Sequence, residues 1–262
     1  MNRHLDITNE AIEELHSLQP TDAIPSRVGS IARQTSPSNV SPHKTIWASD
    51  SPDEALVAPA GKLNRFATLA KRVADIVGAA ILLLLLSPFM VVTWLVLMVT
   101  TKGRPLFRQT RLGECGRPFV MYKFQSMVPD AEDLKGQVAN EQDGPIFKNA
   151  RDPRITPVGR VLRCTSIDEI PQLFNVLTGH MSLVGPRPPL ACEVVEYEPW
   201  QLARLSVKPG LTCLWQVSGR SEVGFNEWME MDLWYVENQS LMTDLKLLLR
   251  TPWSVLSRRG AF

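Results

Sequence analysis

"IVGAAILLLLLSPFMVVTWLVLMV", residues 76–99, runs 24 residues without a charge. At about 1.5 Å per helical residue, such a stretch reaches across a bilayer core of roughly 30 Å. It predicts a membrane segment. Ser87 and Pro88 divide it into two apolar halves, each about 16 Å long as a helix and too short to span alone. A break at mid-depth leaves two readings open: a kinked helix that crosses, or one that dips in and turns back.

The charges flanking this segment bear on the choice. Lys62, Arg65, Lys71 and Arg72 lie before it, and Lys102, Arg104, Arg108 and Arg111 lie after it. Positive residues near membrane ends prefer the cytoplasmic side, so both flanks favour the inside. A re-entrant hairpin satisfies both, whereas a crossing helix must send one cluster outward.

Outward from this segment the chain divides in three. Residues 1–60 carry six prolines among many serines and few large apolar residues, which predicts a disordered arm, with a short helix conceivable at "NEAIEELHSL". Residues 61–101 form the basic flank and the membrane segment broken at Ser87 and Pro88, either kinked or re-entrant. Residues 102–262 read as a globular domain, α+β with helix dominating, with extended pieces at "PFVMYKF" (118–124) and "LTCLWQV" (211–217). Trp200, Trp215, Trp228, Trp234 and Trp253 fall late in the chain, and "LKLLLRTPWSVLSRR" mixes leucines with basic residues. Helices of that kind lie in a membrane interface, although core packing accounts equally well for each tryptophan taken singly.

Several classes lose ground. The four cysteines, Cys115, Cys164, Cys192 and Cys213, form no C-x-x-C pair and have no histidine at zinc-ligand spacing, so they read as free thiols. The first apolar run starts at residue 76, too deep for a secretory signal. There is no Walker-type glycine loop and no G-x-G-x-x-G.

Chemistry concentrates around "CTSIDEIPQLFN", residues 164–175, where Asp168 and Glu169 stand side by side before Pro171. Pro171 suits the first turn of a helix, with Ile170, Leu173, Phe174 and Leu177 on its buried face. On local pattern the acids read first as caps of that helix. Their surroundings add a second reading. "NARDPRITPVGRVLR" (149–163) and "SLVGPRPPL" (182–190) supply Arg151, Arg154, Arg160, Arg163 and Arg187, and "KPGLTCLWQVSGR" (208–220) adds Lys208, Gln216 and Arg220. Guanidinium groups suit phosphate. A carboxylate attacking phosphorus gives a reactive acyl phosphate, and a helix start with nearby arginines would keep the acid ionised. A nucleotide diphosphate would bring a divalent ion, Mg²⁺, to offset its charge.

Taken together, these stretches resemble the bacterial sugar transferase family, the monotopic phosphoglycosyl transferases. The resemblance runs from about Ala67 to the C-terminus and is carried, in order, by "KRVAD" (71–75), the Ser87-Pro88 break, "GRPLFRQTRLG" (103–113), "MYKFQSM" (121–127), "DPRITPVGRVLR" (152–163), "TSIDEIPQLFNVL" (165–177), "MSLVGPRP" (181–188), "PGLTCLWQVSGR" (209–220) and "DLWYVENQSLMTDLKLLLRT" (232–251). It implies a re-entrant membrane hairpin, a catalytic domain facing the cytoplasm at a bacterial inner membrane, and a two-step exchange. Asp168 would attack the β-phosphate of a UDP-sugar, releasing UMP, and undecaprenyl phosphate would then take the sugar phosphate. Glu169 would assist as base or, with Asp168, in holding Mg²⁺. Lys123, Arg154, Arg163, Arg187, Gln216 and Arg220 would bind phosphate or substrate. The implied partners are a UDP-sugar, undecaprenyl phosphate and the bilayer, with no nucleic acid; a homo-oligomer stays open. "PRPPL" and the C-terminal stretch look like members that begin exopolysaccharides with glucose or galactose. Larger members carry an N-terminal half of spanning helices, where this chain shows the arm.

Three positions depart from the family pattern: Gln125 where arginine is usual, His180 for aspartate, and Cys213 for glycine. Gln125 and Cys213 keep a second reading alive, a catalytically silent, membrane-tethered scaffold of the same fold whose basic flanks bind anionic lipid.

Overall fold

The computed structural model describes residues 63–141, 143–218 and 223–257, together with Val57. Apart from Val57, the expected arm over 1–60, its short helix and Arg220 lie outside the described residues.

The apolar stretch forms one helix, α1 (Arg65–Thr100), started by Asn64, whose side chain accepts from Ala67 N at 2.7 Å. The expected break is not a gap: helix continues through Ser87 and Pro88. Pro88 has no N–H for the Leu84 carbonyl one turn back, and the Ser87 hydroxyl donates to that carbonyl instead, at 2.8 Å. The helix is long and apolar enough to cross a membrane. Its burial follows a stripe, with Lys71, Asp75, Ala79, Thr93 and Leu97 turned inward while Leu84, Phe89, Val92 and Val99 stand exposed. Both ends of the stripe meet the globular domain.

At the N-terminal end the contacts are polar and come from "KRVAD". Lys71 Nζ pairs with Asp244 at 2.6 Å and donates to Val184 O at 3.3 Å. Asp75 Oδ1 accepts from Leu183 N and Ser182 Oγ. Near the other end, Leu97 packs with Phe124 and Leu162.

β1 (Leu106–Leu112) and β2 (Pro118–Phe124) form an antiparallel hairpin with Leu106 opposite Phe124 and Leu112 opposite Pro118. Within β2, Phe119, Met121 and Phe124 turn inward, close to the two-residue period expected of a half-buried strand. α2 (Pro157–Cys164) follows, then a 3-10 turn (Ile167–Glu169) and α3 (Gln172–Thr178). Asn175 ties α3 to β2 by accepting from Tyr122 N and donating to Val120 O. Leu173 and Val176 fill the core, but Phe174, expected on the buried face, is exposed.

β3 (Ser182–Val184) pairs in parallel with β4 (Gly210–Thr212). Gly185 and Gly210 allow that close approach, since a Cβ on Gly210 would collide with the Gly185 backbone. Between the strands lie α4 (Ala191–Val194) and a 3-10 segment (Gln201–Ser206); after them come α5 (Leu214–Ser218), α6 (Phe225–Glu237) and α7 (Leu241–Ser257). The extended reading of "LTCLWQV" therefore holds only to Thr212, and the rest is helix. The main core gathers Leu112, Leu173, Met181, Trp215, Met229 and Tyr235. Trp215 and Trp228 are core residues, whereas Trp253 lies with Met242, Leu245, Leu249 and Leu256 among the exposed apolar residues of α7. The α+β, helix-rich class is as expected.

Candidate active site

The acid pair sits in the 3-10 turn that follows α2. Gly159 lets α2 press against the loop after β2, where any Cβ would strike the Ser126 carbonyl. That approach lets Arg163 Nε donate to Ser126 Oγ at 2.9 Å. Ser166 then turns the chain with a positive φ of 57°, a conformation that side-chain-bearing residues rarely hold.

The acids do not cap. Pro171 occupies the N-cap place of α3, the helix starts at Gln172, and no side chain accepts a hydrogen bond there. The 3-10 turn has no side-chain cap either. Both acids face inward. Lys123 Nζ donates to Glu169 Oε1 at 2.8 Å, and Arg187 Nη1 reaches the same oxygen at 3.5 Å.

This arrangement separates the two acids electrostatically. Burial pushes Glu169 up, but Lys123 and Arg187 outweigh it and hold the carboxyl well below the usual range. Asp168 is buried at 6% exposure. Burial raises its pKa, Lys123 opposes, the neighbouring Glu169 charge reinforces, and Arg163 and Arg187 oppose in turn. The expectation that a helix start and nearby arginines keep Asp168 ionised meets an opposing effect: burial raises its pKa, while Lys123, Arg163 and Arg187 lower it. Burial also lowers Lys123 and Arg163, each countered by the acids.

The pair opens onto a cavity of about 1000 Å³ lined by Lys123, Arg163, Arg187 and Gln216, with Leu82 and Leu86 of α1 on its wall. A cavity of that size suits a small-molecule ligand, and the lining brings cations, carboxylates and the apolar helix together. Four of the sequence-derived binding residues meet here. Arg154 also borders the cavity, but its guanidinium is committed: Nε and Nη2 go to Asp152 and Nη1 to Ala131 O. We therefore assign it to holding Asp152 and the loop rather than a substrate. Gln216 is partly committed, since its Oε1 accepts from Cys213 N. Of the departures from the family pattern, Gln125 lines the cavity and donates to Met127 O, whereas His180 is exposed and stacks on Phe119. Cys213 is buried, and burial pushes its thiol pKa well up.

Two supporting residues escape sequence reasoning. Arg204, 2% exposed, pairs with Asp232 at 2.6 Å and donates to Arg187 O at 2.8 Å, fixing the backbone that carries Arg187. Arg111 donates to Pro188 O and holds the same loop from β1; burial brings its pKa down to about 10. Neither had a local signal, because the partners lie far along the chain.

Among the described residues, no group of three or more His, Cys, Asp or Glu could hold a metal ion. Asp168 and Glu169 supply two carboxylates. That number fits Mg²⁺, which takes one or two from protein and fills the rest with water and substrate phosphates.

Comparison with known proteins shows the family. The family model described as bacterial sugar transferase matches residues 66–258. A "Galactosyl transferase CpsE" of Streptococcus agalactiae is 46% identical over 197 residues, covering 74% of this chain and 43% of the relative. An "Undecaprenyl-phosphate galactose phosphotransferase" of Salmonella typhimurium is 44% identical over 209 residues, covering 76% and 43%. A "UDP-glucose:undecaprenyl-phosphate glucose-1-phosphate transferase" of Caulobacter vibrioides is 41% identical over 217 residues, covering 78% and 76%. The chain thus spans less than half the length of the first two of these relatives.

Proposed function

The chain belongs to the bacterial sugar transferase family, and from that premise we propose that it transfers a hexose 1-phosphate from a UDP-sugar to undecaprenyl phosphate through a covalent intermediate on Asp168. The observation that carries this reading is the division of labour in the acid pair. Glu169 takes the ion pairs with Lys123 and Arg187, which leaves the Asp168 carboxylate, among three cations, facing the cavity.

In the first step an Asp168 oxygen attacks the β-phosphorus. An O–P bond forms, the bond from that phosphorus to the bridging oxygen breaks, and UMP leaves with the electron pair. In the second, an oxygen of the lipid phosphate attacks the same phosphorus and the Asp168 carboxylate departs unchanged. Lys123, Arg163 and Arg187 favour the ionised form of Asp168 and face the charge that gathers on the phosphoryl oxygens. Mg²⁺, held by Asp168 and Glu169, would offset the negative charge of the diphosphate.

The membrane arrangement belongs to the same proposal. A straight helix of this length would be about 54 Å long, well beyond a bilayer core of roughly 30 Å. Lys71 and Leu97 nevertheless both pack on the globular domain. This supports α1 entering and returning on one face, with the exposed apolar row of α7 in the interface and the domain in the cytoplasm at the bacterial inner membrane. A labelling tag placed before residue 60 and found outside the cell would contradict it.

The transfer itself is tested with membranes containing the protein, Mg²⁺, undecaprenyl phosphate and a panel including UDP-glucose and UDP-galactose. Release of UMP with one sugar supports the transferase. No release with any sugar, from inserted and folded protein, supports the silent scaffold instead.

A further inference from the structure

Lys148 stands in the loop before α2 and lines the same cavity as the acid pair. Its ammonium is buried and, among the described residues, has no hydrogen-bond partner. It lies over two indole faces, 5.0 Å from the Trp215 ring centroid and 5.5 Å from that of Trp228. Those rings are 4.3 Å apart. Cation–π attraction offsets part of the cost of leaving water, but it supplies no acceptor for three N–H donors. Trp215 Nε1 is likewise buried with no acceptor.

The electrostatics agree with the geometry. Burial, and then the Arg187 charge, bring the Lys148 pKa down to about 8. Two cations thus act on each other, and among the described residues no carboxylate pairs with the Lys148 ammonium.

We propose that Lys148 is a phosphate-binding residue of this cavity, resting on the Trp215–Trp228 pair and swinging on its flexible stem to a phosphoryl oxygen when substrate enters. The inference rests on reading the cavity as a nucleotide-sugar site. Lys123, Arg163 and Arg187 already face Asp168 and the phosphate it attacks, so the phosphate left to Lys148 is one that Asp168 does not attack: the nucleotide's α-phosphate, which leaves as UMP, or the phosphate of the lipid acceptor. A cation there steadies either group through the exchange.

The test compares full-length wild type, Lys148→Met and Lys148→Arg in nanodiscs. Pyrophosphate binding is read by tryptophan fluorescence, and UMP binding, the KM values for the UDP-sugar and for undecaprenyl phosphate, and Tm are measured alongside. The methionine variant should lose roughly 10- to 100-fold in pyrophosphate affinity, the size of one hydrogen bond to a charged group, with most of the fluorescence change. Lys148→Arg should retain most of the affinity, and the Tm of Lys148→Met should stay level or rise, because an uncompensated buried charge has been removed. Weakened UMP binding with a raised UDP-sugar KM assigns the α-phosphate; a raised undecaprenyl phosphate KM alone assigns the lipid. Equal pyrophosphate affinity in wild type and Lys148→Met, or a lower Tm with affinity intact, overturns the proposal. Lys148→Gln is read the same way if the methionine variant does not fold. Pyrophosphate carries no nucleoside or sugar, so this binding result stands apart from whether any UDP-sugar is turned over.

Discussion

Lys123 Nζ donates to Glu169 Oε1 at 2.8 Å, with 21% of the Glu169 side chain left exposed. This bond joins β2 to the turn that carries the acid pair. Lys123→Met would leave Glu169 only the longer contact to Arg187. It should destabilise the protein by about 2 kcal/mol, less than the roughly 3–5 kcal/mol of a fully buried pair because solvent reaches the carboxylate. Denaturation of wild type and variant side by side measures this; an unchanged midpoint contradicts the role given to the bond.

The two acids should fail differently. Asp168→Asn removes the attacking oxygen and should lower UMP release by at least roughly 10³-fold, whereas Glu169→Gln should cost about 10²-fold and leave the attacking group in place. Asp152→Asn is not a neutral comparison, since Asp152 is buried and holds Arg154 through both oxygens. Exposed Glu227 is the better control.

The pH dependence follows from the opposite shifts of the pair. Only ionised Asp168 attacks, and its folded pKa is raised, so kcat/KM should climb with pH along a limb above the ordinary aspartate value of about 3.9. Arg163 lowers that pKa, so Arg163→Gln should move the limb upward. For stability the signs differ. Glu169 is depressed in the folded protein, so its contribution is present above about pH 4.3 and fades as pH falls toward its folded value. Asp168 is raised, so its contribution is present at low pH and fades as pH rises through its folded value. Activity and unfolding titrations report the pair jointly.

Asp75 anchors α1 to β3. Asp75→Ala would leave the buried Leu183 N–H and Ser182 hydroxyl without this acceptor, at a cost of about 3 kcal/mol. Tm should fall, and hydrogen exchange should speed up at Leu183 while β2 stays protected. Uniform loss of protection would instead show that the anchor is not local.

Legibility in the sequence tracked how local the cause was. β2 was readable because Phe119 and Met121 alternate with outward residues, and the membrane helix because charge is absent from 76–99. The acids read locally as caps, because an acid pair before a proline-started helix looks the same whether it caps or faces a cavity, and the 3-10 turn after Ser166 that separates the two is not visible in the pattern. Arg154 reads as a phosphate ligand because nothing local shows that Asp152, two residues before it, takes up its guanidinium. Arg204 and Lys148 carried no signal at all, since Asp232 and the Trp215–Trp228 pair meet them only once α6 is folded. "LTCLWQV" alternates like a strand, yet after Thr212 the chain turns to helix so that Trp215 can pack on Trp228.

On the proposed mechanism Asp168 carries the sugar phosphate between the two steps. The direct measurement is to incubate the protein with the turned-over UDP-sugar and Mg²⁺ without lipid acceptor, quench in acid, and map the adduct by peptide mass spectrometry. One hexose phosphate is expected on the peptide containing Asp168, absent in Asp168→Asn and discharged by undecaprenyl phosphate. Release of UMP only when the lipid is present, with no adduct at any time, would contradict that mechanism and indicate direct transfer.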